Sequence, residues 1–265
     1  MEQMKVLRWG DSNGPVLICL HGFMGEPTDW DSFANSLLQR IPNLRIVAPA
    51  LPKSADIAVS LISFCDAEGI SVATLIGYSL GGRLGLKVAL TCPERFSCFI
   101  GVSTTAGLVD SDQRAQRKSD DFALAQRLRG IRTNPEWRAF LNEWWNLPVF
   151  ASPSRTEALK EAFISSRIHS EPNAHADNLE RWSPGVLPSL WRELSSYPGL
   201  AVFLSGEGDT KYQHLALRMA RAVRNSQCHV LQGCGHQMLL EKPDAVAECV
   251  SECLIFQRSS SRGGG

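Results

Sequence analysis

Residues Gly77-Tyr78-Ser79-Leu80-Gly81-Gly82-Arg83 give the strongest indication of the fold. It follows an apolar, β-branched run at residues 72–76 and leads into a segment whose apolar spacing predicts a helix that stops before Pro93. A G-x-S-x-G pattern between a strand and a helix is typical of a nucleophile elbow, a turn so sharp that the serine backbone is strained. Any β-carbon at the two glycines that flank Ser79 would collide with the neighbouring strand or helix. The pattern therefore predicts that the Ser79 hydroxyl projects over the end of a sheet.

Length and charge narrow the class of protein. The chain has 265 residues, of which 44% are hydrophobic, enough for one large α/β domain or a domain with an insertion. Basic and acidic residues balance at 27 each, which gives no reason to expect nucleic acid or an anionic membrane as a partner. The eight cysteines form no C-x-x-C pair and no histidines cluster at zinc spacing, so neither a metal nor a cofactor is expected. The cysteines are interpreted as core residues in a reducing compartment.

The beginning of the chain carries no recognisable targeting signal. Residues 1–6 lack the apolar stretch of a secretory signal and the arginine and serine bias of a transit peptide. No uncharged apolar run approaches the roughly 20 residues of a membrane-spanning helix. The expected location is the cytoplasm, or an organelle stroma if the chain is excised from a larger eukaryotic precursor. Neither the oligomeric state nor a fusion to other pathway enzymes follows from the sequence.

Strand and helix patterns alternate along most of the chain, which predicts an α/β fold with a doubly wound, mostly parallel sheet and right-handed crossovers. Strands are expected at residues 6–10, 16–20, 44–48, 72–76, 98–102, 200–204 and 229–231. Helices are expected at residues 30–40, capped by Thr28 or Asp29, at about 55–68, and at 243–254. Residues 108–197 show only helical patterns interrupted by prolines, and these predict a helical cap that closes a partly dry site. The predicted domains are a core at 1–107 and 198–257, the cap at 108–197, and a flexible polar tail at 258–265.

Three residues that follow predicted strands occur in the order serine, acid, histidine: Ser79, Asp209 and His236. A serine hydroxyl is a poor base and a poor nucleophile until histidine takes its proton, and a carboxylate fixes the imidazole tautomer. The three residues are therefore interpreted as a catalytic triad. A glycine-rich loop at residues 21–25 follows an earlier strand, and the amides of Phe23 and Leu80 are the expected oxyanion hole.

Further segments support a resemblance to a known family. They are His21-Gly22-Phe23-Met24-Gly25 with Asp29-Trp30, the elbow at residues 77–83, the cap segments 117–121, 140–150, 166–167 and 188–191, and residues 206–212. With these residues the chain resembles the α/β-hydrolase superfamily over essentially its whole length. More narrowly it is similar to the MenH family, the 2-succinyl-6-hydroxy-2,4-cyclohexadiene-1-carboxylate synthases of menaquinone and phylloquinone biosynthesis. Ala50 and Gln237 depart from the family pattern, at positions that are not catalytic in the family.

The resemblance implies a pyruvate elimination instead of a hydrolysis. The triad serine would act as a base that removes the ring proton beside the succinyl ketone, and the oxyanion hole would hold the resulting enolate. The substrate bears three carboxylates, for which arginine is the best bidentate receptor. Arg83 lies one helical turn after Ser79. The other family positions for substrate binding are matched by Arg117 and Arg167 and by the pocket aromatics Tyr78 and Trp144.

Two other functions fit the same residues. A serine carboxylesterase or C–C bond hydrolase would use Ser79 as a nucleophile on the same scaffold. A non-catalytic, hydrolase-like receptor would keep the triad without turnover, and for an apolar ligand its pocket would contain few inward arginines.

Overall fold

The computed structural model describes residues 5–54 and 56–262, with side chains described as far as residue 255. Its described part contains one seven-stranded sheet. The strands are β1 (Val6–Gly10), β2 (Val16–Leu20), β3 (Arg45–Pro49), β4 (Thr74–Tyr78), β5 (Cys98–Val102), β6 (Leu200–Gly206) and β7 (Ser226–Leu231). They are ordered β1-β3-β2-β4-β5-β6-β7, and all neighbours are parallel except β1 and β3. The predicted doubly wound, mostly parallel sheet is confirmed.

The antiparallel edge strand β1 has a simple cause. Only residues 11–15 connect β1 to β2, and a parallel crossover needs a dozen residues or more. The chain therefore reverses direction at this turn, and β1 pairs with β3 from Val6↔Pro49 to Gly10↔Arg45.

Ten α-helices accompany the sheet in the described residues. They are α1 (Asp31–Arg40), α2 (Ile57–Ala67), α3 (Leu80–Thr91), α4 (Ser111–Gly130), α5 (Asn134–Trp145), α6 (Glu157–Arg167), α7 (Pro172–Trp182), α8 (Thr210–Ala222), α9 (Met238–Glu241) and α10 (Pro243–Arg262). None of these helices combines the length and the apolar character that crossing a membrane requires. Helices α4 to α7 follow one another between β5 and β6, in the segment predicted as a cap, and contribute to an apolar cluster that also includes Met24 of the loop after β2.

Apolar side chains cover both faces of the sheet, which explains why the central strands are continuous apolar runs. On one face, Leu75 of β4 belongs to the same buried cluster as Leu84 of α3 and Ala216 of α8. On the other face, Ile76 shares a cluster with Phe33 of α1 and Val250 of α10. The sheet is thus sandwiched between helices, and the carboxyl ends of its six parallel strands, β2 to β7, meet at one edge.

Helix boundaries differ from the predicted ones at both ends of the chain. Helix α1 begins at Asp31 after a 3-10 turn at Pro27–Trp30, so neither Thr28 nor Asp29 caps it. The Asp29 carboxylate instead accepts a hydrogen bond from the Glu26 amide at 3.3 Å. Helix α10 continues to Arg262 and so enters the segment predicted as a flexible tail, because no proline or glycine interrupts the chain before Gly263.

Two further differences concern helices α2 and α8. Asp56 caps α2 and accepts from the amide of Ala58 at 3.0 Å, whereas the predicted start at Ala55 lies outside the described residues. Helix α8 is absent from the predicted elements. Asp209 caps it by accepting from the Tyr212 amide at 3.3 Å, so a residue chosen for its chemistry also starts a helix.

The approach of β4 to α3 requires glycine at position 77. A Cβ there would lie 2.4 Å from the carbonyl oxygen of Gly81, a backbone atom held by the turn. We expect Gly77→Ala to lower the free energy of unfolding by about 1–3 kcal/mol or more, as overpacking of a rigid site does. Gly130→Ala is the matched control, because a Cβ at Gly130 meets nothing within 4 Å and should change stability by no more than about 1 kcal/mol. Equal losses in denaturant unfolding would contradict the steric argument.

Candidate active site

Ser79 occupies the strained turn between β4 and α3. Its φ is +51° and its ψ is −109°, a conformation that non-glycine residues rarely adopt. Neighbouring groups hold it there: the Ser79 amide donates to the carbonyl of Val102 at 2.9 Å, and the Thr104 hydroxyl donates to the Ser79 carbonyl at 2.7 Å. The side chain is only partly buried. The turn therefore has the geometry of a nucleophile elbow.

The structure brings the three residues of the predicted triad together. Nε2 of His236 lies 3.2 Å from Oγ of Ser79, and Nδ1 of His236 lies 2.6 Å from Oδ2 of Asp209. The side chains of His236 and Asp209 are 4% and 5% exposed. Since the carboxylate is an acceptor only, Nδ1 carries the proton and Nε2 is free to accept one from the serine. These contacts allow His236 to take the hydroxyl proton of Ser79.

The loop after β2 lies against the start of α3. A Cβ at Gly81 would lie 2.3 Å from the carbonyl oxygen of Leu20 and 2.4 Å from that of His21. In the part of the chain that the structure describes, the amides of Phe23 and Leu80 donate to no other protein group. Both predicted oxyanion-hole donors are therefore available to a ligand.

His21 holds the shape of this loop. Its Nε2 accepts from the Leu51 amide at 3.2 Å, so Nδ1 donates to the carbonyl of Gly22 at 2.9 Å. Burial lowers the pKa of His21, which keeps the ring neutral in this arrangement. The fixed tautomer ties the loop to the segment that follows β3.

Arg83 is a buried cation in the first turn of α3. It is 5% exposed, its Nη2 donates to the carbonyl of Trp182, and its Nε has no partner among the described residues. No carboxylate of those residues forms a salt bridge with it. Burial, followed by the positive charge of Arg117, lowers the pKa of Arg83 to about 10, although Tyr212 and Asp121 oppose the shift. A buried guanidinium without an anion is costly, and a ligand carboxylate would relieve that cost.

The other two predicted arginines already have carboxylate partners. Nε of Arg117 donates to Asp121 at 2.8 Å, and the Arg117 side chain is 45% exposed. Nη2 of Arg167 donates to Asp29 at 3.0 Å, which joins α6 to the 3-10 turn before α1. Arg83 is thus distinct among the three, because it alone lacks a protein carboxylate in the described structure.

Aromatic rings surround the triad histidine. The ring of Tyr78 lies 5.6 Å from that of His236, Tyr212 lies 4.5 Å from it, and Phe150 lies 5.8 Å from it. Trp144 packs edge to face against Phe23 at 5.4 Å and so lies beside the loop after β2. Aromatic side chains therefore surround the polar groups of the triad.

The sequence patterns did not single out several of these residues for a role. Tyr212 belongs to a segment of family resemblance and reaches His236 because Asp209 caps α8, one turn before it. Glu241 accepts hydrogen bonds from the hydroxyls of Ser152 and Ser154 and, at 2.8 Å, from the amide of Gly235. It therefore connects the loop that carries His236 to the cap segment. Only the three-dimensional fold reveals this contact.

His175 of α7 is a third residue of this kind. Its ring stacks on Trp137 at 5.7 Å and meets the edge of Phe23 at 6.1 Å, while Nε2 lies 2.8 Å from the hydroxyl of Ser170. Nδ1 is buried without a partner in the described structure. Burial and the positive charge of Arg167 lower the pKa of His175 to about 4.

This buried imidazole predicts an acid-sensitive fold. An unfolded histidine has a pKa near 6.5, so between about pH 6.5 and 4 the unfolded chain binds a proton that folded His175 does not. Stability should therefore fall by about 1–2 kcal/mol from pH 7 to pH 5 on account of this residue. His175→Phe should reduce that loss in thermal unfolding at the two pH values, while the control His214→Gln, at an exposed position, should not. His21, whose pKa is also lowered, leaves part of the dependence in place.

Comparisons with known proteins found a family and relatives that match most of the chain. Residues 17–249 match the model of the alpha/beta hydrolase family. The chain is 30% identical to a putative 2-succinyl-6-hydroxy-2,4-cyclohexadiene-1-carboxylate synthase of Bacillus subtilis, over 92% of both chains. It is also 30% identical to the synthase of that name from Escherichia coli O1:K1, over 91% of this chain and 94% of the relative.

Solved structures are similar over nearly the whole chain. MenH from S. aureus has a TM-score of 0.84 at 25% identity and covers 96% of this chain and 98% of its own. A malate-bound esterase from Thermogutta terrifontis has a TM-score of 0.80 at 20% identity, covering 95% and 92%. The second similarity is one of fold alone.

Proposed function

Because the chain belongs to the α/β-hydrolase superfamily and, within it, to the MenH family, we propose that it eliminates pyruvate from 2-succinyl-5-enolpyruvyl-6-hydroxy-3-cyclohexene-1-carboxylate. The product would be 2-succinyl-6-hydroxy-2,4-cyclohexadiene-1-carboxylate, an intermediate of menaquinone and phylloquinone biosynthesis. The activity is that of a carbon–oxygen lyase on a hydrolase scaffold.

The proposed reaction begins at the serine. His236 takes the hydroxyl proton of Ser79, and the serine oxygen then takes the ring proton beside the succinyl ketone. The electron pair left on the ring delocalises into the ketone as an enolate, whose oxygen faces the amides of Phe23 and Leu80. Asp209 stabilises the imidazolium that forms meanwhile.

Collapse of the enolate completes the elimination. Its electrons return to form the conjugated ring diene, and the bond between the ring and the enolpyruvyl oxygen breaks. Pyruvate leaves as its enolate and takes up one proton. His236 gives up the proton that it took from Ser79, so the protons balance. Ser79 keeps the ring proton and so regains its hydroxyl, without a covalent intermediate.

The single observation that carries the proposal is the isolated charge of Arg83. Its guanidinium lies one turn from Ser79, buried and without a carboxylate partner in the described structure, so an anionic substrate supplies what it lacks. A receptor for an apolar ligand has no use for such a charge. The positive charge of Arg117 lies near enough to Arg83 to lower its pKa, and that of Arg167 lowers the pKa of Tyr78. These two arginines, together with Trp144, are proposed to bind the other carboxylates.

Incubation with the enolpyruvyl substrate tests the proposed function. We expect catalytic release of pyruvate, measured with a coupled dehydrogenase, while the intact mass of the protein stays unchanged. The esterase alternative predicts turnover of p-nitrophenyl esters, an acyl group trapped on Ser79 and no release of pyruvate. Absence of turnover with either substrate, combined with ligand binding, would favour the receptor.

A further inference from the structure

Three side chains with metal-binding atoms meet where edge strand β7 faces helix α10. They are His229 of β7 and Cys249 and Cys253 of α10, and their ligand atoms all lie within 4.8 Å of one another. Sγ of Cys253 lies 4.0 Å from Nε2 of His229. Both cysteines are free thiols. The group shares no residue with the site around Ser79.

The fold assembles this group from two local periodicities. Alternation along β7 sends Cys228 to the cluster on one face of the sheet and Leu231 to the cluster on the other, with His229 on the side of Leu231. The two cysteines are four residues apart on α10 and so share one face of the helix. The C-x-x-x-C spacing and the distant histidine match no common zinc pattern in sequence. Only tertiary structure brings the three residues together, so the sequence alone does not reveal the group.

The spacing of these atoms suits a tetrahedral ion. Zinc bonds of about 2.3 Å to sulfur and 2.0 Å to nitrogen place tetrahedral ligand atoms about 3.5–3.8 Å apart. The 4.0 Å between Sγ of Cys253 and Nε2 of His229 exceeds the tetrahedral separation by about 0.5 Å. The other separations, none above 4.8 Å, exceed it by about 1.3 Å at most, so binding requires small side-chain shifts. The amide oxygen of Gln227, 3.2 Å from His229 Nε2 and 3.4 Å from Cys253 Sγ, already occupies the adjoining space as a neutral polar group.

Access and charge also favour a cation. Cys253 is 2% exposed, whereas Cys249 and His229 are partly exposed, so an ion can enter from solvent without unfolding the helix. The exposed carboxylate of Glu252 interacts electrostatically with all three groups. Its negative charge adds to the attraction for a divalent ion.

We propose that Cys249, Cys253 and His229 bind one zinc ion, with a water molecule as the fourth ligand. Two sulfur ligands and one imidazole bind zinc in preference to magnesium or calcium, which take oxygen ligands. Binding releases the thiol protons to solvent and involves no redox step. The ion would fasten the C-terminal helix to the last strand of the sheet, at a place separate from the site of the elimination.

Metal titration of the full chain tests the site. After removal of metals with a chelator, the protein should bind one equivalent of Zn²⁺, and Co²⁺ should give the thiolate charge-transfer and visible bands of a tetrahedral complex. Cys253→Ser and His229→Gln should each weaken binding by more than about tenfold. Cys92→Ser, at a partly exposed cysteine of the α3 C-terminus, is the matched control and should bind normally.

Two measurements keep the test independent of how the variants fold. Zn²⁺ should raise the melting temperature of the wild-type protein relative to chelator, because it binds the folded state. It should also protect Cys249, the partly exposed thiol of the pair, from a thiol reagent. Substoichiometric binding, equal losses in the Cys92 control, or a Cys249–Cys253 disulfide without bound metal would overturn the proposal. Pyruvate release should be the same in all the variants, so failure here leaves the proposed function untouched.

Discussion

Arg83→Met is expected to lower kcat/KM for pyruvate release by ~30- to ~5,000-fold, which corresponds to about 2–5 kcal/mol of transition-state binding. The reason is that methionine keeps much of the apolar volume of the side chain but cannot bind a substrate carboxylate. The substitution should not lower the stability of the folded protein. Because Arg83 is buried without a carboxylate partner in the described structure, its removal should leave the melting temperature unchanged or raise it.

The combination of lower activity and undiminished stability separates a binding role from a structural one. Arg138→Met is the matched control, since Arg138 lies in the cap segment and forms an exposed salt bridge with Glu161, with side chains 47% and 46% exposed. It should change neither quantity much. Near-normal kinetics in Arg83→Met would remove Arg83 from the site. A large loss of stability would instead assign its charge to the fold.

Ser79→Ala is expected to lower kcat by about 10³-fold or more, because the substrate loses the base that removes its ring proton. The backbone strain remains, since alanine must adopt the same φ of +51°. Ser79→Gly should lose activity equally and gain stability, because glycine adopts this φ without strain. Pyruvate release measures the activity of both variants, and the melting temperature measures how much the backbone strain at Ser79 affects stability.

Ser103 provides a matched control for this substitution. It also follows a strand with a positive φ, 46°, and its hydroxyl contacts the sulfur of Met238 instead of the triad. Ser103→Ala should therefore retain turnover. Unchanged pyruvate release in Ser79→Ala would remove the serine base from the mechanism, whatever the control shows.

Features set by short segments were predictable from the sequence. The run at Cys98–Val102 is a strand because it is apolar throughout, and the glycines around Ser79 already imply the elbow. The chain order of Ser79, Asp209 and His236, each after a strand, was enough to place them at one sheet edge. Parallel strands bring their carboxyl ends together there, whatever the details of the loops.

Features that depend on partners distant in sequence were not predictable. The i,i+4 pair of Arg117 and Asp121 is visible in the sequence, but nothing there connects Arg167 to Asp29. The sequence also does not show that the imidazole of His175 is buried, or that the carboxylate of Glu241 accepts from the loop that carries His236. Both environments form only when the cap segment packs on the rest of the fold. The start of α1 was misplaced because a proline-led 3-10 turn precedes it.

The proposed role of Ser79 as a base can be tested in a single-turnover experiment with substrate deuterated at the ring carbon beside the succinyl ketone. If Ser79 acts as the base, pyruvate formation should show a primary kinetic isotope effect, and mass spectrometry of the quenched protein should find no adduct on Ser79. Pyruvate formed without an isotope effect, or an acyl group that accumulates on Ser79, would contradict it.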